Sequence, residues 1–501
     1  MALTETRPDT ASDDQPATIT SPDSLAETAG STGLAGVLGS GDHKVIGRLW
    51  IGASLLFLLV VGLLGELLAV ERVDPDDLGL FSDATFLQSV SLHSVGTVFL
   101  FLLPLLVGLA TVVVPLQVGA RTVAFPRAAA AAFWTWLLAG LLVVAAYAIN
   151  GGPHGADDDG VSLFLIALGA ALVGLLLGMI CVVTTVLAVR APGLRLERLP
   201  LFAWSVMVAG VMWLLTLPVL LGGLVLLYLD HRYGQVFLGG ADGISERIAW
   251  SFSQPQVYAL AVPALGIVGD VVPVMAGRPS RLHTATMGAI AAFGALGFGA
   301  YAQRAFAPDV ATQPLFLLAS LGALVALLAA VGTFADTLRA GRPRLTSPLL
   351  YAVAALFMLL VGAAAGLLTG VERLELVDST WTTAQVHYVL LATAIAALGG
   401  VQYWSTKVLG RPMGEGLGRV AAVLLLLGTI GLAFPDLVSG LVGDGDDAVL
   451  GIGALNALSA LGGAAVLLGL LVFLAALVGA RKGPVGVGDP WEGQTLEWLT
   501  D

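Results

Sequence analysis

The stretch LHSVGTVFLFLLPLLVGLATVVVPLQ, residues 92–117, decides the class of fold. It contains no Asp, Glu, Lys or Arg, and its one histidine is His93. About 20 predominantly apolar residues cross the hydrocarbon of a bilayer as a single helix, and this run exceeds that length. Eleven similar runs accompany it, near 46–70, 130–149, 161–189, 202–229, 253–276, 284–302, 314–336, 347–369, 384–405, 418–442 and 450–479. The composition agrees: 57% of the 501 residues are hydrophobic and 12% charged, against roughly 25% charged in soluble domains. Mean hydropathy is +0.91. The sequence predicts an all-α polytopic membrane protein with twelve spans. The 63 glycines follow no collagen period and read as small residues for close helix packing in lipid.

The polar remainder organises the chain. Residues 1–41 are acidic and rich in Ser, Thr, Pro and Gly, a composition that cannot bury a core. They are read as a disordered tail rather than a signal peptide, because no charged segment leads into an apolar one. Residues 42–482 form the membrane domain and 483–501 a C-terminal tail. Of the 23 Lys and Arg, 18 fall in alternate connections and at the two ends; the exceptions are Arg72, Arg232, Arg247, Arg304 and Arg373. The positive-inside rule then puts both termini in the cytoplasm of a cell-membrane protein. The opposite loops are acidic, with Asp74, Asp76 and Asp77, Asp157 to Asp159, and Asp444, Asp446 and Asp447. The net charge of −12 argues against a nucleic-acid partner. A single cysteine, Cys181, excludes an intrachain disulfide and any cysteine-based metal cluster.

Ionisable residues inside a membrane are costly, so each is a functional candidate. Only two of the six histidines, His93 and His387, lie within apolar runs. Both spans run in the same direction, which puts the two imidazoles at similar depth. Two readings are open. The imidazoles either meet across the bundle as the two axial ligands of a low-spin haem iron, or each hydrogen-bonds a neighbouring carbonyl. Glu66, Asp270 and Asp336 are weaker candidates, and Asp270 is the most unusual because it lies deep in the sixth span. Thr184 and Thr185 read as helix-packing hydroxyls or as hydroxyls bonding back along their helix.

A series of strings then carries a resemblance. DHKVIG at 42–47, HSVGTVFLFLLPLLVG from His93, VPLQVGARTVAFPR from Val114, NGGP at Asn150, TTVLAVRAPG at Thr184, LPLFAWSV at Leu199, YWSTKVLGR at Tyr403 and DPWEGQTLEW at Asp489 occur in one order. That series resembles subunit I of cytochrome c oxidase, in the haem–copper oxidase family. The resemblance covers nearly the whole chain after residue 41, and it implies a twelve-helix bundle of the oxidase subunit I type. It also implies that His93 and His387, the latter in QVHY, hold a low-spin haem.

The same resemblance implies a lost reaction centre. The family's copper histidine falls on Gln254 in QPQVY, its paired copper histidines on Gln303 and Arg304 in YAQRAF, and the axial ligand of its high-spin haem on Gln385. Tyr258 is kept. Copper in such sites prefers imidazole, so copper is not expected, and Arg304 would add a fixed positive charge. Proton-channel positions fall on Thr122, Gln256 and Ala330, and the basic pair that holds haem propionates falls on Asp446 and Asp447. The position tied to a-type haem falls near Ala69, so one b-type haem is favoured, with a-type as the alternative. The expected function is a membrane haem protein passing electrons without an oxygen-reducing haem–copper centre. Its expected partners are other subunits of a membrane complex, such as a subunit II-like or cytochrome partner. A non-redox scaffold or regulatory subunit is the alternative, and an active terminal oxidase the third reading.

Overall fold

The computed structural model describes residues 36, 39–74, 78–153, 155–234, 237, 256–302, 314–377, 379–442, 451–485 and 488–499, apart from the side chains of 256, 299–302, 314–316 and 372. The chain divides into residues 1–40 and residues 41–501, and the helical bundle belongs to the second unit. Every regular element among the described residues is helical, and twelve helices are long: α1 His43–Glu71, α2 Asp83–Gln117, α3 Pro126–Ala148, α4 Asp158–Ala188, α5 Leu201–Tyr233, α6 Gln256–Ala276, α7 His283–Ala302, α8 Pro314–Ala340, α9 Ser347–Thr369, α10 Thr380–Tyr403, α11 Glu415–Val442 and α12 Ile452–Gly479. Eleven of them contain apolar stretches long enough to cross a membrane, and α7 coincides with the remaining expected span. The all-helical membrane architecture therefore stands as expected.

The expected start of the second span is corrected. Helix α2 begins at Asp83, not near 92. The Ser82 side chain accepts the Thr85 backbone N–H at its start, and Asp83 sits in the first turn, where negative charge is favourable. Polar capping residues thus carry the helix beyond its apolar run. Further along, Gly96–Leu102 winds as a π-helix. Pro104 explains this locally: it has no N–H for the carbonyl of Leu100, and its ring would clash with that carbonyl in a regular α-helix. In the π register Leu103 N–H reaches the Val98 carbonyl, so the carbonyl that faces Pro104 is that of Phe99, and Trp136 of α3 satisfies it, its Nε1 donating at 2.8 Å. Trp136 also stacks on Trp50 of α1 at 4.7 Å between ring centroids.

Close packing in the bundle uses glycine where backbones meet. A Cβ on Gly462 of α12 would collide with the backbone of Leu432 on α11, and one on Gly428 would lie 2.6 Å from the Val466 nitrogen. Thr185 behaves as expected, donating to the Cys181 carbonyl at 2.7 Å, and it also accepts from the Ala124 N–H.

Candidate functional site

Helices α1, α2, α10, α11 and α12 enclose a cavity of about 850 Å³ whose wall contains both His93 and His387. This lies within the range of about 300–1,000 Å³ typical of small-molecule sites. Most of the wall is apolar, as with Leu58, Val61, Val98, Phe101, Leu390 and Val466. The polar exceptions include Glu66, Arg72, Ser91, Ser94, Thr97, Thr380 and Thr383.

His93 lies in the last regular turn before the π segment. Its Nδ1 lies 2.8 Å from the Val61 carbonyl of α1. A carbonyl only accepts, so Nδ1 carries the proton and Nε2 keeps its lone pair. A ring nitrogen fixed in this way on a carbonyl is the usual support for a metal-ligating imidazole. Gly65 allows the contact: a Cβ there would stand 2.5 Å from His93 Cε1 and 2.9 Å from Nδ1. The Gly65→Ala substitution should therefore push the ring off Val61 and weaken retention of any group bound through Nε2 by roughly 10-fold, the equivalent of one lost hydrogen bond. Equilibrium titration of the bound group checks it.

His387 behaves differently from His231 and His283, whose Nε2 atoms lie 3.0 Å from the carbonyls of Asp158 and Leu199. Its Nδ1 is buried without a hydrogen-bond partner. Two more such atoms, Glu66 Oε2 and Thr97 Oγ1, belong to residues of the same cavity wall. Native interiors leave few polar atoms unsatisfied, each at a cost of about 1–3 kcal/mol. Of twelve such atoms among the described residues, these three belong to this cavity wall. Thus the carbonyl-bonding alternative describes His93 in part, is compatible with ligation there, and does not describe His387 Nδ1.

A second cluster lies where α6, α9 and α10 meet. Gln385 and Tyr258 are both buried and hydrogen-bond each other directly. Thr369 Oγ1 lies 3.5 Å from Gln385 Oε1. A Cβ on Gly366 would meet Gln385 Nε2 at 2.5 Å and Tyr258 Oη at 2.6 Å. Phe293 packs edge-on against Tyr258. Gln254, Gln303 and Arg304 lie outside the described residues, as do Asp446 and Asp447 and the side chain of Gln256. No group of three or more His, Cys, Asp or Glu among the described residues is arranged to hold a metal ion. Thr122 lies 3.5 Å from the Gly41 carbonyl, and Ala330 is buried in α8.

Asp270, for which the sequence suggests no role, caps α5 from another helix. Its Oδ1 accepts the Leu201 N–H at 2.9 Å; its Oδ2 accepts the Phe202 N–H at 3.2 Å and Gln117 Nε2 at 2.7 Å. The first N–H groups of a helix have no partner within it, and α5 follows Pro200, which offers no capping side chain. Gln117 also donates to Glu497 Oε1 at 3.1 Å, and Trp404 Nε1 donates to the same oxygen at 3.2 Å. The C-terminal segment is thus built into the bundle through Glu497, Trp498 and Trp491, all buried. Asp336, the remaining carboxylate candidate, pairs with Arg281 at 3.7 Å on a more exposed surface.

Burial raises the Glu497 carboxyl above the ordinary carboxylate range. A raised folded-state value favours the docked segment when the group is protonated, so that contribution is lost as pH rises through the raised value. Proteolysis of the C-terminal segment should therefore accelerate with rising pH above about 4.5, the ordinary glutamate value. The Glu497→Gln substitution should flatten the profile.

The fold and site define a class: polytopic helical membrane proteins in which two intramembrane histidines, His93 and His387, line one cavity. Comparison narrows it. Residues 45–448 match the family model described as cytochrome c and quinol oxidase polypeptide I, and the chain belongs to that family. It is 31% identical over 494 residues to a putative cytochrome c oxidase subunit 1-beta of Streptomyces coelicolor, covering 92% of this chain and 85% of the relative. It is 32% identical over 492 residues to a haem–copper oxidase subunit I+III of Aeropyrum pernix, covering 92% of this chain and 59% of that longer protein. A cryo-EM structure of a haem–copper terminal oxidase dimer superposes with a TM-score of 0.71 at 15% identity, covering 88% of this chain and 84% of that one. Membership of the family implies haem as a cofactor. The residues around the cavity fit one: His93 offers Nε2, His387 has a ring nitrogen, Nδ1, without a partner, and Gly65 leaves room for the supported ring.

Proposed function

We propose that this chain is an oxidase subunit I-type electron-transfer protein. It holds one low-spin haem between His93 and His387 and has no oxygen-reducing haem–copper centre. Haem supplies a one-electron redox couple when bound. The protein would hold it through the imidazoles of His93 and His387, within a largely apolar wall. The observation that carries this reading is a contrast within one bundle: the histidine pair flanks an open cavity, whereas Gln385 and Tyr258 hydrogen-bond directly. That contact supports the loss of the second haem, because it occupies the space between an axial-ligand position and the retained tyrosine. The replacements at Gln254, Gln303 and Arg304 support the absence of copper. A b-type haem is favoured, with a-type as the alternative.

The chain works in a membrane complex with other subunits, as its relatives' names describe for theirs. A subunit II-like or cytochrome partner fits electron exchange at the acidic end of the bundle. The bundle sits in the plasma membrane with its basic end and both termini facing the cytoplasm, 483–501 being a cytoplasmic segment; most of residues 1–41, which composition marks as a tail, lie outside the described residues.

The test is haem and copper content of the purified full-length chain, by pyridine haemochrome and elemental analysis. One haem per chain and no stoichiometric copper is the expected result; copper at one per chain contradicts it. The acidic Asp446 and Asp447 favour a second reading, a non-redox scaffold, and absence of haem from protein made in haem-replete cells would establish that instead. The relatives' names favour an active terminal oxidase, which copper together with a second haem would restore.

A further inference from the structure

Among the described residues, one Lys or Arg belongs to the wall of the cavity between His93 and His387, and it is Arg72, at the C-terminal cap of α1. Its guanidinium is braced from two other helices. Nη2 donates to Asp436 Oδ1 of α11 at 2.8 Å and to Asn456 Oδ1 of α12 at 3.3 Å, and Nη1 donates to Asp436 Oδ2 at 3.4 Å. Asn456 Nδ2 in turn donates to the Arg72 carbonyl at 2.6 Å. Asp436 is almost fully enclosed, at 2% side-chain exposure, whereas Arg72 keeps 32%. The Nη edge is therefore committed to the brace. Among the described residues, Nε–H has no acceptor and remains for a further one.

Position says which acceptor. Arg72 marks the end of a membrane-spanning helix, where charge is tolerated; toward Leu102 and Ala394 the cavity wall is apolar. Charged groups in hydrocarbon are costly, so a guest with one acidic edge and one apolar edge seats its acidic edge at Arg72. The basic pair expected from the family falls on Asp446 and Asp447, which leaves the acidic edge in need of another cation. Arg is well suited, since it stays charged and can serve two carboxylates from one planar fork.

We propose that Arg72, held in place by Asp436 and Asn456, is the anchor for a carboxylate of the haem in this cavity. The proposal rests on the haem reading above. The competing role is purely structural, a brace among α1, α11 and α12.

The experiment uses the full-length chain made in haem-deficient cells. Its membranes are titrated with haem b and with haem b dimethyl ester, following the low-spin spectrum. Wild type should bind the free acid roughly 10-fold or more tightly than the diester, as one charge-assisted hydrogen bond implies. In Arg72→Gln the two should bind alike with the same spectrum, and Arg72→Lys should keep part of the preference. A full preference in Arg72→Gln overturns the anchor and leaves the brace. If Arg72→Gln binds neither compound, Arg72→Lys decides: a retained preference supports the anchor, and equal binding overturns it. Equal binding by wild type overturns the anchor alone, whereas no low-spin binding of either compound by wild type overturns the haem reading itself.

Discussion

Replacing His93 or His387 by alanine is expected to abolish the low-spin haem spectrum while leaving the bundle assembled. The two imidazoles enter the cavity from different helices, α2 and α10, so neither substitutes for the other. The structural cost of losing each is small. His93 gives up one hydrogen bond, to the Val61 carbonyl, worth about 1 kcal/mol net. His387 Nδ1 has no partner to lose, and its removal takes an unsatisfied polar atom out of the interior. Stability and spectrum should therefore separate cleanly: gel filtration unchanged, visible spectrum lost. A variant that kept the wild-type spectrum would remove that histidine from the site.

The opposite pattern is expected for Asp270→Ala. This carboxylate sits away from the histidine cavity, yet it accepts three hydrogen bonds, from Gln117, Leu201 and Phe202. Alanine would strand the buried N–H groups of Leu201 and Phe202, while Gln117 keeps its bond to Glu497. At about 1–3 kcal/mol for each unsatisfied donor, the loss should be roughly 2–6 kcal/mol. Thermal melting in detergent should shift well below wild type and the yield of folded protein should fall, while the remaining folded fraction keeps its haem spectrum. Asp270→Asn should lose less, because its side-chain oxygen still accepts. An unchanged melting temperature for the alanine variant would show that other groups cap α5.

These two cases mark how far a linear sequence reports on the folded chain. The twelve apolar runs need only local composition, because a bilayer demands each span separately. That His93 and His387 share one cavity is legible too, from two rare histidines at matched depth and from the family's strings. Asp270 stands out as a charge in an apolar run, but its partner is the start of a helix 69 residues earlier in the chain, and no periodicity reports such a distance. Arg72 and Asp436 are separated by 364 residues and look like ordinary boundary charges. Apolarity alone does not reveal the start of α2 at Asp83, because helix continuation past the membrane depends on caps. The π segment has a signal in Pro104, since proline at that position removes a helical hydrogen bond. The direct contact of Gln385 with Tyr258 has none, because whether two side chains close on each other is decided by packing.

The most direct measurement is a reduced-minus-oxidised spectrum of the purified full-length chain, recorded with and without carbon monoxide. With His93 and His387 both coordinated and Gln385 engaged by Tyr258, one low-spin haem should appear and carbon monoxide should leave the spectrum unchanged. A carbon monoxide-reactive second haem would contradict the account, because an open iron would then stand where Gln385 and Tyr258 are expected to close the site.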